Sequence, residues 1–273
     1  MKYALANGIK QEPKPQQKGV CCFCGNPTIS KCGNRKVWHW AHESLKHCDS
    51  WWENETSWHR LWKSYFPVKN QEIIHFDEVT GEKHIADIKT DNGMVIEIQN
   101  SPMSEEELHS RESFYGNMIW IVNGEKFRNN FTILDRLPKP FCEFFEDIVF
   151  LPKHPNATYI GLMYYRKSEN FGYENWCNSG GVGSSPSLSF SSRTSIDHKE
   201  LKQRIEDNYE GHHLFKWKNS RTVWFQAEKP VFIDFGGNRL WQLRKYYDGR
   251  DLWCVQKISK AALIRKNGGE YKP

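Results

Sequence analysis

A chain of 273 residues, 26% charged and 38% hydrophobic, is long enough for two domains and has the composition of a globular protein, with an unusual twelve tryptophans. Its formal charge of +5 permits a polyanionic partner without demanding one. No window approaches the roughly eighteen apolar residues of a bilayer span, and MKYALANGIKQEPKPQQK lacks the apolar centre of a secretion signal. A cytoplasmic protein with no membrane partner is the expectation.

Residues 1–19 are polar, with Pro13 and Pro15, and predict a flexible tail. Residues 20–50 are too short for a core of their own, yet hold five of the eight cysteines. In a reducing compartment such clustering points to a metal rather than to disulfides. Cys21-x-x-Cys24, followed by Gly25, aims two thiolates at one ion, and HWAHESLKHC offers His39, His42, His47 and Cys48 as the second pair. The preferred ligand set for a structural Zn²⁺ is Cys21, Cys24, His42 and Cys48. His39 could replace His42, and Cys32 could replace Cys48, whereas Cys22 is too close to its neighbours to share the site. The competing account is buried thiols with incidental histidines.

WWENETSWHRLWKSYF, Trp51 to Phe66, spaces its aromatics at helical intervals and ends at Pro67, which predicts an amphipathic helix. Strands are expected at Glu72 to Val79, Lys83 to Thr90 and Met94 to Gln99. The turn Asp91-Asn92-Gly93 joins the last two, and its Asn-Gly pair marks a hairpin. Ser104 and the three glutamates after it open a helix running to about Tyr115, and MIWIV, Met118 to Val122, reads as a buried central strand reached by a crossover. Residues 51–140 therefore form an α/β core, and 141–273 an additional α+β C-terminal domain that could receive a protein partner. There, a Gly/Ser-rich loop spans Asn178 to Arg193 and a helix Ser195 to Asp207. Strands are expected at Thr222 to Ala227, Val231 to Phe235 and Leu240 to Tyr247, then a strand running into a helix over Asp251 to Ile264.

The hairpin carries two acids between apolar neighbours, Asp87 and Glu97. With a turn at Asn92-Gly93, Asp87 would oppose Ile98 and lie diagonal to Glu97, unless twist or a bulge brings the carboxylates together. Both are hard-oxygen ligands suited to Mg²⁺ or Mn²⁺, and an ion held there would polarise a phosphodiester and acidify a bound water. Gln99 points to the same side and could orient that water. Glu55 and His59 lie four apart, on one face of the expected helix. The competing account is a surface acid pair and a core histidine.

HWAH, ENETSWHRLWK, HIADIKT, VIEIQNS, RESFY and MIWIV, in order over about Cys21 to Gly124, resemble the competence protein CoiA-like family. The resemblance implies a zinc-ribbon-like N-terminal module and a nuclease domain of the restriction-endonuclease-like, PD-(D/E)xK fold. It makes Asp87 the motif aspartate, Glu97 the (D/E) and Gln99 the residue at the lysine position, with Glu55 and His59 on the first helix. Glu97-x-Gln99 departs from the commoner E-x-K, and a neutral amide supplies no positive charge. Ser101 and Arg111 would lie beside the metal, holding substrate phosphate or bracing the fold. A salt bridge from Arg111 to Glu107 is the plainer alternative. The expected activity is Mg²⁺- or Mn²⁺-dependent hydrolysis of DNA, in DNA uptake, recombination or phage defence. The alternative is an inactive DNA-binding accessory that keeps the fold.

Overall fold

The computed structural model describes residues 1–44, 48–51, 53, 55–151, 162–179, 184–187, 198–247 and 250–272. Its elements begin with strands β1 (Ala4–Ala6), β2 (Ile9–Gln11), β3 (Lys18–Val20), β4 (Pro27–Lys31) and β5 (His39–His42). Helix α1 (Ser57–Ser64), β6 (Gln71–Phe76), β7 (Lys83–Lys89), β8 (Val95–Gln99), α2 (Glu105–Tyr115) and β9 (Met118–Asn123) follow. Next come β10 (Phe131–Arg136), β11 (Ile148–Leu151), β12 (Met163–Arg166), α3 (Phe171–Asn178) and α4 (His198–Asp207). The last are β13 (His212–Trp217), β14 (Val231–Asp234), β15 (Arg239–Lys245), β16 (Trp253–Ser259) and α5 (Lys260–Lys266). Among the described residues no helix is long and apolar enough to cross a membrane.

The chain divides into two compact units. The first is Met1–Glu125 with Arg221–Leu240 and Ser259–Pro273, and the second is Lys126–Ser220 with Trp241–Ile258. The expected boundary at 141 is therefore wrong in kind: the chain leaves the first unit and returns to it twice. The flexible tail is also corrected. β1 and β2 form a hairpin inside a five-stranded sheet of order β2-β1-β3-β4-β5. Its turn is Asn7-Gly8, both with positive φ (55° and 78°), as a two-residue hairpin loop of matching twist requires. Ala4 and Ala6 of β1 and Trp40 of β5 form its small buried core.

Within the first unit a mixed sheet runs β14-β9-β8-β7-β6. β6, β7 and β8 are antiparallel, while β9 lies parallel to β8 through the α2 crossover and β14 lies parallel to β9. β9 is buried at all six positions, as a central strand should be, and Ile88, Ile96, Ile98, Leu108 and Trp120 complete the core around it.

α1 is shorter than the expected helix over 51–66. Thr56 ends it on the N-terminal side with a reciprocal cap: its hydroxyl accepts from the His59 N–H, while the Thr56 N–H donates to His59 Nδ1 (3.2 Å). Glu55 therefore precedes the helix, and the shared helical face expected for Glu55 and His59 does not exist. α2 starts and stops as expected, with the Ser104 hydroxyl accepting from the Glu107 N–H (3.2 Å).

The second unit holds β10, β13 and β16 as antiparallel neighbours, β15 beside β16, and a separate β11–β12 pair. Its core gathers Leu137, Phe145, Phe150, Leu201, Leu214 and Cys254. Thr222–Phe225, expected as a strand, is a 3-10 turn. The expected loop over 178–193 and the start of the helix at 195–197 fall largely outside the described residues. β15, β16 and α5 lie where strands and a helix were expected.

Candidate metal centre and acidic cleft

Cys21 and Cys24 sit on a tight turn closed by the Cys21 N–H donating to the Asn26 carbonyl (2.9 Å) and the Gly25 N–H donating to the Cys21 carbonyl (3.0 Å). His42 ends β5, and Cys48 follows it. The ligand atoms of Cys21, Cys24, His42 and Cys48 all lie within 4.8 Å of one another. Cys21 Sγ is 3.8 Å from Cys48 Sγ, and Cys24 Sγ is 3.2 Å from His42 Nε2. The edges of a tetrahedron around Zn²⁺ measure roughly 3.5–3.8 Å for such ligands. The four groups can thus hold a structural metal such as zinc, and they are the set that the sequence favoured. Neither alternative joins them. His39 turns its Nδ1 to the Val37 carbonyl (2.8 Å), and Cys32 is not in the cluster. His47 lies outside the described residues.

The acidic cleft is set by the β7–β8 hairpin. Its loop has three residues, Asp91-Asn92-Gly93, because the Thr90 N–H donates to the Met94 carbonyl (2.9 Å) and Gly93 takes a positive φ of 80°. The register pairs Ile88 with Ile96 and Lys89 with Val95. Continued by one residue, it sets Asp87 opposite Glu97, where a two-residue loop would have set Asp87 opposite Ile98. The contacts agree: the Asp87 N–H donates to Glu97 Oε1 (3.2 Å), and the Ile98 N–H donates to Asp87 Oδ2 (3.0 Å). On the other side, Gln71 pairs with Ile88 and Ile73 with Ala86, which sets Glu72 opposite Asp87. Three carboxylates, Glu72, Asp87 and Glu97, therefore form a row across β6, β7 and β8, and all three line one cavity of about 70 Å³.

Each acid in the row has its own surroundings. Glu97 is buried, with Arg111 Nη1 3.1 Å from its Oε2. Burial, then the charge of Asp87, push its carboxyl up to about 7 against the pull of Arg111. Burial would raise Glu72 too, but Lys63, the N-terminal ammonium and the Lys2 N–H bring it down to about 2. Asp87 is the most open of the three, and Lys63 Nζ stands 2.9 Å from its Oδ1.

Other expected site residues take different places. Gln99 is buried, and its amide nitrogen donates to Glu53 Oε2 (2.8 Å) and to the Ser101 carbonyl (3.1 Å). Both amide protons are thereby used, so only its oxygen remains to receive a water proton. His59 Nε2 faces Glu53 Oε1 at 3.3 Å, and its Nδ1 is taken by the cap. Glu55 pairs with Arg60 (3.0 Å) and Lys63 (3.3 Å). Arg111 is 5% exposed and spends its guanidinium on Glu97, Glu107 and the Trp51 carbonyl. It braces Glu97, one of the two roles expected of it, and it lines the same cavity. Ser101 is held by its own N–H, which donates to Glu53 Oε1 (3.1 Å).

Three residues of the cleft were missed by sequence reasoning. Glu53 and Glu72 are acids whose neighbours reveal nothing until the register is known. Lys63 lies four residues after His59, and that helical spacing was the available signal.

Residues 7–50 match the family model described as competence protein CoiA, N-terminal domain. No curated protein matches the chain, and no solved structure matches it. The matched residues include the β2 strand, the Cys21–Cys24 turn, His42 and Cys48, so the segment that builds the metal centre is the one that supports the CoiA-like family for this chain.

Proposed function

We propose that this protein is a divalent-cation-dependent deoxyribonuclease with a restriction-endonuclease-like, PD-(D/E)xK core, acting in competence-related DNA processing. The observation that carries it is the register that sets Asp87 opposite Glu97, with both side chains in one cavity. The element order α1, β6, β7, β8, α2, β9, with β9 parallel to β8, supports the same core.

The hard oxygens of Asp87 and Glu97 fit Mg²⁺ or Mn²⁺, and a cavity of about 70 Å³ has room for an ion with several waters. Such an ion would supply Lewis-acid polarisation of a phosphodiester and a more acidic water. The chain's own groups do the rest. Arg111 fixes the Glu97 carboxylate, and Glu97, titrating near neutrality, can hold or release a proton at its carboxyl oxygens. Glu53 fixes the main chain after β8 through the Asn100 and Ser101 N–H groups. The Gln99 oxygen can accept from a water, and DNA is the partner.

A second reading, a DNA-binding accessory without catalysis, is favoured by Gln99, whose amide protons are committed to Glu53 and Ser101. Incubating the full chain with linear, nicked and single-stranded DNA plus Mg²⁺ or Mn²⁺ separates the two. Cleavage that disappears in Asp87→Asn is expected. Retention of DNA without cleavage by either protein would select the accessory, and equal cleavage by both would remove Asp87 from the chemistry.

A further inference from the structure

Glu72 is placed at a conformational expense that its pairing in β6 does not require. Its φ of 47° lies in the left-handed region, where a non-glycine residue persists only if its surroundings hold it. Here they do. The Lys2 N–H donates to its Oε1 (2.8 Å), the Tyr3 N–H to its Oε2 (3.1 Å), and Lys63 Nζ stands 3.1 Å from Oε1. Lys63 thus has carboxylate oxygens of Asp87, Glu72 and Glu55 at 2.9, 3.1 and 3.3 Å. An ammonium has three N–H donors, so none remains for a substrate phosphate. Lys63 itself is 4% exposed. It is a positive charge enclosed by acids, in the manner of a bound ion.

We propose that Lys63 is a tethered cation filling the Glu55–Glu72–Asp87 side of the cleft, so that the site admits one divalent ion, between Asp87 and Glu97, and not two. This rests on the nuclease reading only in taking Asp87 and Glu97 as the ligands of that ion. A second ion would have to approach the same Asp87 oxygen that faces the ammonium, with like charges opposed in a poorly solvated space. Lys63 is accordingly a positioning residue: it sets Asp87 and blocks one side of it.

The test is the number of Mn²⁺ ions bound by the full, zinc-loaded chain, read by equilibrium dialysis with electron paramagnetic resonance of free Mn²⁺, with no DNA present. Wild type is expected to bind one ion. Lys63→Gln is expected to bind two, and Lys63→Arg to return to one. Two ions on wild type, or one ion on Lys63→Gln with unchanged affinity, would overturn the inference. Circular dichroism and zinc content establish that each variant is folded. Should Lys63→Gln not fold, Glu72→Gln serves instead. The charge of Lys63 then falls on fewer acids, so one Mn²⁺ is expected to bind about three- to tenfold more weakly, and unchanged binding overturns the inference. No ion on wild type would sink the nuclease reading as well, whereas two ions would leave that reading standing.

Discussion

Glu97 is where the proposed chemistry of the cleft and the stability of the fold oppose each other. Its carboxyl is raised to about 7 in the folded chain, against about 4.5 when unfolded. Stability from the buried neutral acid is thus fully present below the unfolded value and is lost as pH rises through about 7. On the nuclease reading, added Mn²⁺ competes with that proton. Thermal melts without added ion are therefore expected to fall between pH 6 and pH 8, and Mn²⁺ to recover more of the loss at pH 8 than at pH 6. A melting temperature independent of pH and ion would contradict this. Glu72 has the opposite sign: its stability is present above about 4.5 and is lost as pH falls towards about 2. Asp234, fully buried, accepts from Trp58 Nε1 (3.1 Å), Trp62 Nε1 (2.8 Å) and Lys260 Nζ (2.9 Å). Asp234→Ala would leave Lys260 buried without its partner, and a loss of roughly 3–5 kcal/mol in urea unfolding is expected. At this scale the sequence was legible where the residue type is rare in its setting, as with Asp87 between Ala86 and Ile88 or the Cys21-x-x-Cys24 pair. Lys63 was marked only by its four-residue spacing from His59, since a lysine on an amphipathic helix otherwise looks like any solvated one.

Among the elements, the β7–β8 loop decides the most. One residue more or less in it moves every side chain of β8 to the other face. The Asn92-Gly93 pair announced the hairpin but not the loop length, since Asn-Gly serves two-residue and bulged three-residue loops alike. Gly93→Ala places a Cβ on a backbone with φ of 80°, and a destabilisation of about 1 kcal/mol with weaker Mn²⁺ binding is expected, read by urea midpoint and calorimetry. A stability loss with unchanged ion affinity would show that the cleft tolerates a shifted loop. The same Asn-Gly signal stands at Asn7-Gly8, where β1 and β2 were missed because strands of three residues are too short to show alternation. β10 and β13, FTILDR and HHLFKW, mix charged with apolar residues, so neither clean alternation nor continuous burial marks them.

At the scale of the whole molecule, the metal centre and the cleft are joined through residues next to Cys48. The Asp49 carboxylate accepts from the Ile85 N–H (2.8 Å) and meets His84 Nδ1 (2.8 Å), and Trp51 stacks on His84 with ring centroids 3.3 Å apart. Metal analysis is expected to find about one Zn per chain, and Cys24→Ser to lose it, with a lower melting temperature and weaker Mn²⁺ binding. Full retention of zinc would refute the ligand set. The sequence could not reveal the other long-range link, because no local pattern tells a strand which partner it will find a hundred residues away.

That link is β14 against β9, Val231 beside Trp120 and Asp234 beside Asn123. The Glu228 and Lys229 N–H groups donate to Glu112 on α2, and Asp234 receives the tryptophans of α1. Translation delivers Asp87 and Glu97 long before these supports. At about 5–20 residues per second, on the order of ten seconds separate the acids from the strand that completes their sheet. On the nuclease reading, a nascent chain on the ribosome therefore carries its metal-binding acids without the scaffold that aims them, and stays harmless to nearby DNA until β14 has been made.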